Sequence, residues 1–150
     1  MRAPPDIRAH LVEVGNNADD DIDLAETALV LAAVARPCVS RAPYRRHLQA
    51  LVDEVADYAG GTGAGLERQV EALTLVIVKR YGYGVTDDFN DLDAANLMRV
   101  IDTRSGLPVV LGILFIHVSD SLGWRVSGID FPGRFLVRLD YNGRRAIIDP

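Results

Sequence analysis

The chain has 150 residues, 49% of them hydrophobic and 25% charged, which suits one globular domain with a real core and excludes wholesale disorder. A net charge of −5 offers no basic face for nucleic acid, and the small groups Arg41, Arg45, Arg46 and Arg144-Arg145 read as solvated surface. The lone Cys38 excludes an internal disulfide or a cysteine-rich zinc site, and His10, His47 and His117 lie too far apart in sequence for a metal motif.

Residues 1–22 read as an opening segment and an acidic turn, with no apolar run of signal-peptide type. A first helix is expected from Asp23, which has capping-box spacing to Glu26. Its apolar stripe would be Leu24, Ala28, Leu31, Ala32 and Ala35, and Pro37 ends it. Cys38 follows in a connection and reads as a partly buried structural residue. A second helix begins at Pro43, with Leu48, Leu51, Val52 and Val55 on one face, and stops at Gly60-Gly61. The glycine-rich loop after it follows a helix and is not followed by Lys-Ser/Thr, so it is a linker and no phosphate cradle.

A third helix is expected from Leu66 to Tyr81, with Tyr81 and Tyr83 as packing residues. A fourth, capped by Asn90, would run to Asp102 with Ala95, Met98 and Ile101 inward. The fifth opens at Gly106 and Pro108 and is apolar on nearly all sides, the mark of a buried helix. Gly112 lets another element come close to it, and His117 on it reads as a core or half-buried histidine and not a catalyst. The longest uncharged stretch, 105–119, is shorter than the ~20 apolar residues of a membrane span, so no membrane partner and a cytoplasmic location are expected. Three strands close the chain: 124–130, a second with Phe135, Val137 and Leu139 on one face, and 145–148 after the Asn142-Gly143 hairpin signal. The order predicts an α+β domain in which a helical lead-in (23–102) precedes a core (103–150) of a buried helix on a small antiparallel sheet.

Papain-like and transglutaminase-like enzymes share that layout. A nucleophile in the helix's first turn gains thiolate character from the helix dipole, a strand histidine acts as base, and a carboxylate orients the histidine. Here the helix start, Gly106-Leu107-Pro108-Val109-Val110, holds no thiol or hydroxyl. The strand position after Pro132-Gly133 is Arg134, and only the carboxylate, Asp149, is present.

The segments Asn96–Leu111 (NLMRVIDTRSGLPVVL), Leu122-Gly123-Trp124, Phe131–Arg138 and Ile148-Asp149-Pro150 resemble bacterial transglutaminase-like proteins of the Sir-B type. The early Pro-Tyr-x-x-His-Leu segment resembles the helical lead-in of that family, so the likeness covers about residues 20–150. The family pattern has histidine where this chain has Arg134, and similar proteins continue beyond the point where this sequence ends, so a truncated domain is expected.

Three functions compete. The first is a non-catalytic domain that binds a protein partner or a small anionic ligand, its cleft lined by Asn96, Arg104, Ser105, Arg134 and Asp149. The guanidinium of Arg134 is permanently charged and cannot serve as a general base. The second is an active hydrolase or acyl transferase with Ser105 as nucleophile, but His117 stands ~15 Å along the same helix, too far to be its base. The third is a helical scaffold that docks another protein on its lead-in. No catalytic residue, metal or organic cofactor is assigned, and nucleic acid is not an expected partner.

Overall fold

The computed structural model describes residues 23–60, 63–86, 88, 90–132 and 134–150, with Phe131 represented by its backbone. The expected opening segment 1–22 and part of the glycine loop lie outside the described residues.

Helix α1 (Leu24–Ala35) opens on Asp23, whose carboxylate accepts the Glu26 amide at 3.0 Å. Helix α2 (Ala42–Ala59) carries Pro43 in its first turn and ends at Gly60, whose φ of 80° needs a residue without Cβ. The Glu26 side chain, expected to complete the cap, pairs with Arg45 of α2. α1 buries Ala25, Leu29, Val30, Ala32 and Ala33 and leaves Leu24 and Leu31 exposed. The predicted stripe is therefore rotated: this helix is apolar almost all round, so its periodicity does not name a buried face. Cys38 is exposed, because the α1–α2 connection that carries it lies on the surface.

Helix α3 (Leu66–Leu73) runs on into a π-helical segment, Thr74–Arg80, where one α-helix to Tyr81 was expected. Thr74, Val76, Ile77 and Val78 crowd an α-helical turn with β-branched side chains. The wider turn is visible at its end, where the Tyr81 amide donates to the Val76 carbonyl, five residues back, at 3.1 Å.

Strand β1 (Gly84–Val85) follows, then a 3₁₀ turn (Leu92–Ala95), helix α4 (Leu97–Thr103) and strand β2 (Ser105–Gly106). β1 and β2 pair in parallel, Gly84 opposite Ser105, a bridge too short to leave a sequence pattern. The caps are Asp91 and Asn96, not Asn90, and Ala94 turns inward while Ala95 is exposed. The helical turn here starts later than expected because two Asx caps divide it.

Helix α5 (Pro108–Ser121) is the buried helix, and β3 (Arg125–Phe131), β4 (Arg134–Tyr141) and β5 (Arg144–Ile148) form an antiparallel sheet in that order. The positive φ of Asn142 and of Gly143, 51° and 76°, makes the β4–β5 turn. α5 packs on β3 and β4 with one side and on α1 and α2 with the other. Phe115, Leu114, Val137 and Leu139 are sealed at that junction. Gly112 is required there: a Cβ would lie 2.3 Å from a ring carbon of Phe135. The fold is the α+β arrangement the sequence implies, helices first, then a buried helix on a small sheet. No helix among the described residues is long and apolar enough to cross a membrane.

Candidate functional site

The end of the molecule where α5 begins is the place to look for chemistry, because the helix dipole is positive there. Leu107 stands at the N-cap and Pro108 in the first turn, and no side chain caps the free amides. β3 and β4 bring the sheet to the same end. The Phe135 ring, seated against Gly112 one turn into the helix, fixes the height of β4 beside it. Phe135 thus faces α5, and strand alternation turns Arg134 to the opposite face. Ile148 pairs with Val137 on the core side, so Asp149 continues onto the face that Arg134 shares.

Arg134 and Asp149 do meet: Nη1 lies 3.2 Å from Oδ2, with the two side chains 66% and 52% exposed. A guanidinium in that pair is a charged donor at any working pH and moves no proton.

The other predicted cleft residues go elsewhere. Asn96 is a structural cap: its Oδ1 accepts the Arg99 amide at 3.2 Å and its Nδ2 donates to the Ala32 carbonyl at 3.3 Å. It also borders a groove of about 370 Å³ along the first turns of α5, lined otherwise by Ala28, Leu31, Ala32, Leu92, Ala95, Leu97, Val109, Val110 and Ile113. Arg104 takes a left-handed backbone (φ 65°) at the end of α4, and its guanidinium lies over the rings of both Tyr81 and Tyr83, 5.2 and 5.1 Å from their centres. Ser105 follows it in β2, exposed. Of the five residues, Arg134 and Asp149 pair on the sheet, Asn96 is engaged as a cap and Arg104 lies over the two tyrosine rings.

The sequence reading missed a polar cluster beneath Arg104. His47 of α2 stands 2.7 Å by Nε2 from the Tyr83 hydroxyl, with its ring edge-on to Tyr81. The Tyr81 hydroxyl donates to Glu54, which also pairs with Arg80 at 3.5 Å. Burial pushes the His47 imidazole down to about 4, the Arg104 charge adds to that and Glu54 opposes it. Burial likewise raises the Tyr83 phenol. His47 is therefore neutral at pH 7, yet its Nε2 is committed to Tyr83. The signal in the sequence was the Pro-Tyr-x-x-His-Leu segment, whose partners Tyr81, Tyr83 and Arg104 lie 34–57 positions further on. The two tyrosines are packing residues as expected, and they also carry a guanidinium. His117 lies nine residues into α5 from Pro108, about 14 Å along its axis. Burial lowers its pKa, with Asp23 and Asp120 opposing.

Residues 42–150 match the family model described as the transglutaminase-like superfamily. A UPF0162 protein of Xylella fastidiosa (strain Temecula1 / ATCC 700964) is 31% identical over 143 residues, covering 88% of this chain and 47% of the relative. A UPF0162 protein of Vibrio cholerae serotype O1 is 30% identical over 136 residues, covering 88% and 50%. One of Pseudomonas aeruginosa is 31% identical over 117 residues, covering 77% and 43%. The chain spans about half the length of the curated relatives it matches. No solved structure matches it.

Proposed function

Since the chain belongs to the transglutaminase-like superfamily, we propose that it is a non-catalytic member, a domain of the Sir-B type that keeps the helix-on-sheet scaffold as a protein-binding module. One observation carries this reading. At the start of α5, where acyl transfer needs a nucleophile beside an imidazole, the chain has Leu107-Pro108-Val109, and the nearby strand end holds an Arg134–Asp149 ion pair turned from the helix.

The groove beside that helix start supports a partner presenting aliphatic side chains. Its walls are aliphatic except for Asn96, and three of its large residues face solvent: Leu92 at 88%, Leu31 at 54% and Val109 at 45% exposure. Apolar side chains gathered at one open groove are a mark of a protein contact. Arg134 is already neutralised by Asp149, which disfavours an anion at that end of the sheet.

The test has two parts. The protein is assayed against generic esters, amides and glutamine donors, and no turnover is expected; turnover abolished by Ser105→Ala would falsify the non-catalytic reading. In cells, a photo-crosslinking residue at position 92 should trap one discrete protein, lost with Leu31→Lys and kept with Arg134→Ala. An adduct insensitive to Leu31→Lys, or no adduct, removes the groove as the docking face.

A further inference from the structure

A cavity lies at the opposite end of the sheet from the Arg134–Asp149 pair, around the β4–β5 hairpin. It measures about 540 Å³, and its walls include Arg125, Arg138, Asp140, Arg144 and Arg145.

The register explains why these charges gather. Asp140 of β4 sits opposite Arg125 of β3 and opposite Arg145 of β5. Arg138 is two residues before it on the same strand. With Val137 and Leu139 turned into the core, alternation puts all four on the other face of the sheet. Three guanidiniums thus surround one carboxylate. Arg138 Nε is 3.1 Å from Asp140 Oδ2, and Arg145 Nε is 3.5 Å from Oδ1. Arg125 has no ion pair among the described residues, although its strand neighbour is that same carboxylate. Arg144 is balanced separately by Glu67, at 2.5 Å.

The local sum is three positive charges against one negative, in a chain whose net charge is −5. Like charges on neighbouring strands repel, so this face is missing about two units of negative charge. A second, independent observation comes from the buried wall. Gln69 is 1% exposed and Trp124 4% exposed, and both line the cavity. Gln69 Oε1 and Trp124 Nε1 each lack a hydrogen-bond partner. Buried polar groups left unpaired in this way are uncommon and call for a partner.

We infer that this cavity is a binding site for a small phosphomonoester. A phosphate dianion supplies the missing charge and accepts guanidinium hydrogen bonds in their planar geometry. The volume leaves room for an organic group, and the indole N–H and the Gln69 amide oxygen offer it one donor and one acceptor. The inference is independent of the docking groove and does not rest on the non-catalytic reading.

Trp124 is the single tryptophan, so its fluorescence reports on this cavity directly. The full chain is titrated with inorganic phosphate, glycerol 3-phosphate, AMP and, as a control, sodium chloride at matched ionic strength. The expected result is a saturable change with the phosphates that chloride does not reproduce, tightest for an organic phosphate. Arg125→Ala and Arg138→Ala should each weaken binding about tenfold or more. Asp140→Asn should tighten it, since the competing carboxylate is gone. Arg134→Ala should change nothing, because it lies at the far end of the sheet. Circular dichroism checks that each variant is folded, and Arg145→Ala replaces any that is not. No saturable change, an equal response to chloride, or weaker binding by Asp140→Asn overturns the site.

Discussion

His47 shows how a residue's neighbours set its chemistry. Its imidazole is half-buried and pressed by Arg104, so its folded pKa of about 4 lies below the ordinary 6.5. A depressed pKa means the unfolded chain takes up the proton first. Stability is complete above about pH 6.5 and falls as pH drops toward 4. Denaturant unfolding at pH 7 and pH 5 should show this loss, and His47→Gln should reduce the pH dependence over that interval. A stability difference between the two pH values as large in the variant would refute the account. Arg134 makes the contrasting case. Its pair with Asp149 is more than half exposed, so Arg134→Ala should change stability by no more than about 1 kcal/mol.

Caps and close approaches decide where the elements stop and how near they stand. Asn96 both caps α4 and reaches the Ala32 carbonyl of α1, tying two helices together. Asn96→Ala should cost about 1–2 kcal/mol, measured by chemical denaturation. Gly112 does the same work for packing: its missing Cβ is what lets the Phe135 ring lie on α5. Gly112→Ala should destabilise by about 1–3 kcal/mol through overpacking, and adding Phe135→Leu should recover part of that loss. A fully tolerated Gly112→Ala would mean the helix and sheet have slack at their junction. The π-helical stretch is one element that sequence reasoning did not resolve. A hydrophobic stripe has nearly the same look in an α-turn and a π-turn, and only the hydrogen-bond ladder separates them.

At the scale of the whole molecule one junction holds the domain. α5 lies between the sheet and the helices α1 and α2, so its side chains touch both halves. Phe115 is 1% exposed at that junction, and Phe115→Ala should cost about 3–5 kcal/mol, a large share of the ~5–15 kcal/mol of a domain this size. The loss should appear as one cooperative transition at lower denaturant, since neither half keeps a separate core. The groove and the cavity differ in kind: apolar side chains of α1, α5 and the 3₁₀ turn line the first, and charged residues around the β4–β5 hairpin line the second.

Read alone, the sequence was sufficient for the α+β order and for α2, α5 and the three-stranded meander. Those follow from local periodicity and from turn residues such as Asn142-Gly143. It could not say which side of α1 is buried, because a helix apolar all round fits any neighbour. It could not set Arg104 over Tyr81 and Tyr83 with His47 beneath, nor gather Arg125, Arg138 and Arg145 around Asp140. Arg145, read with Arg144 as solvated surface, joins a charged wall only through strand register, a long-range pairing that no local stretch of residues encodes.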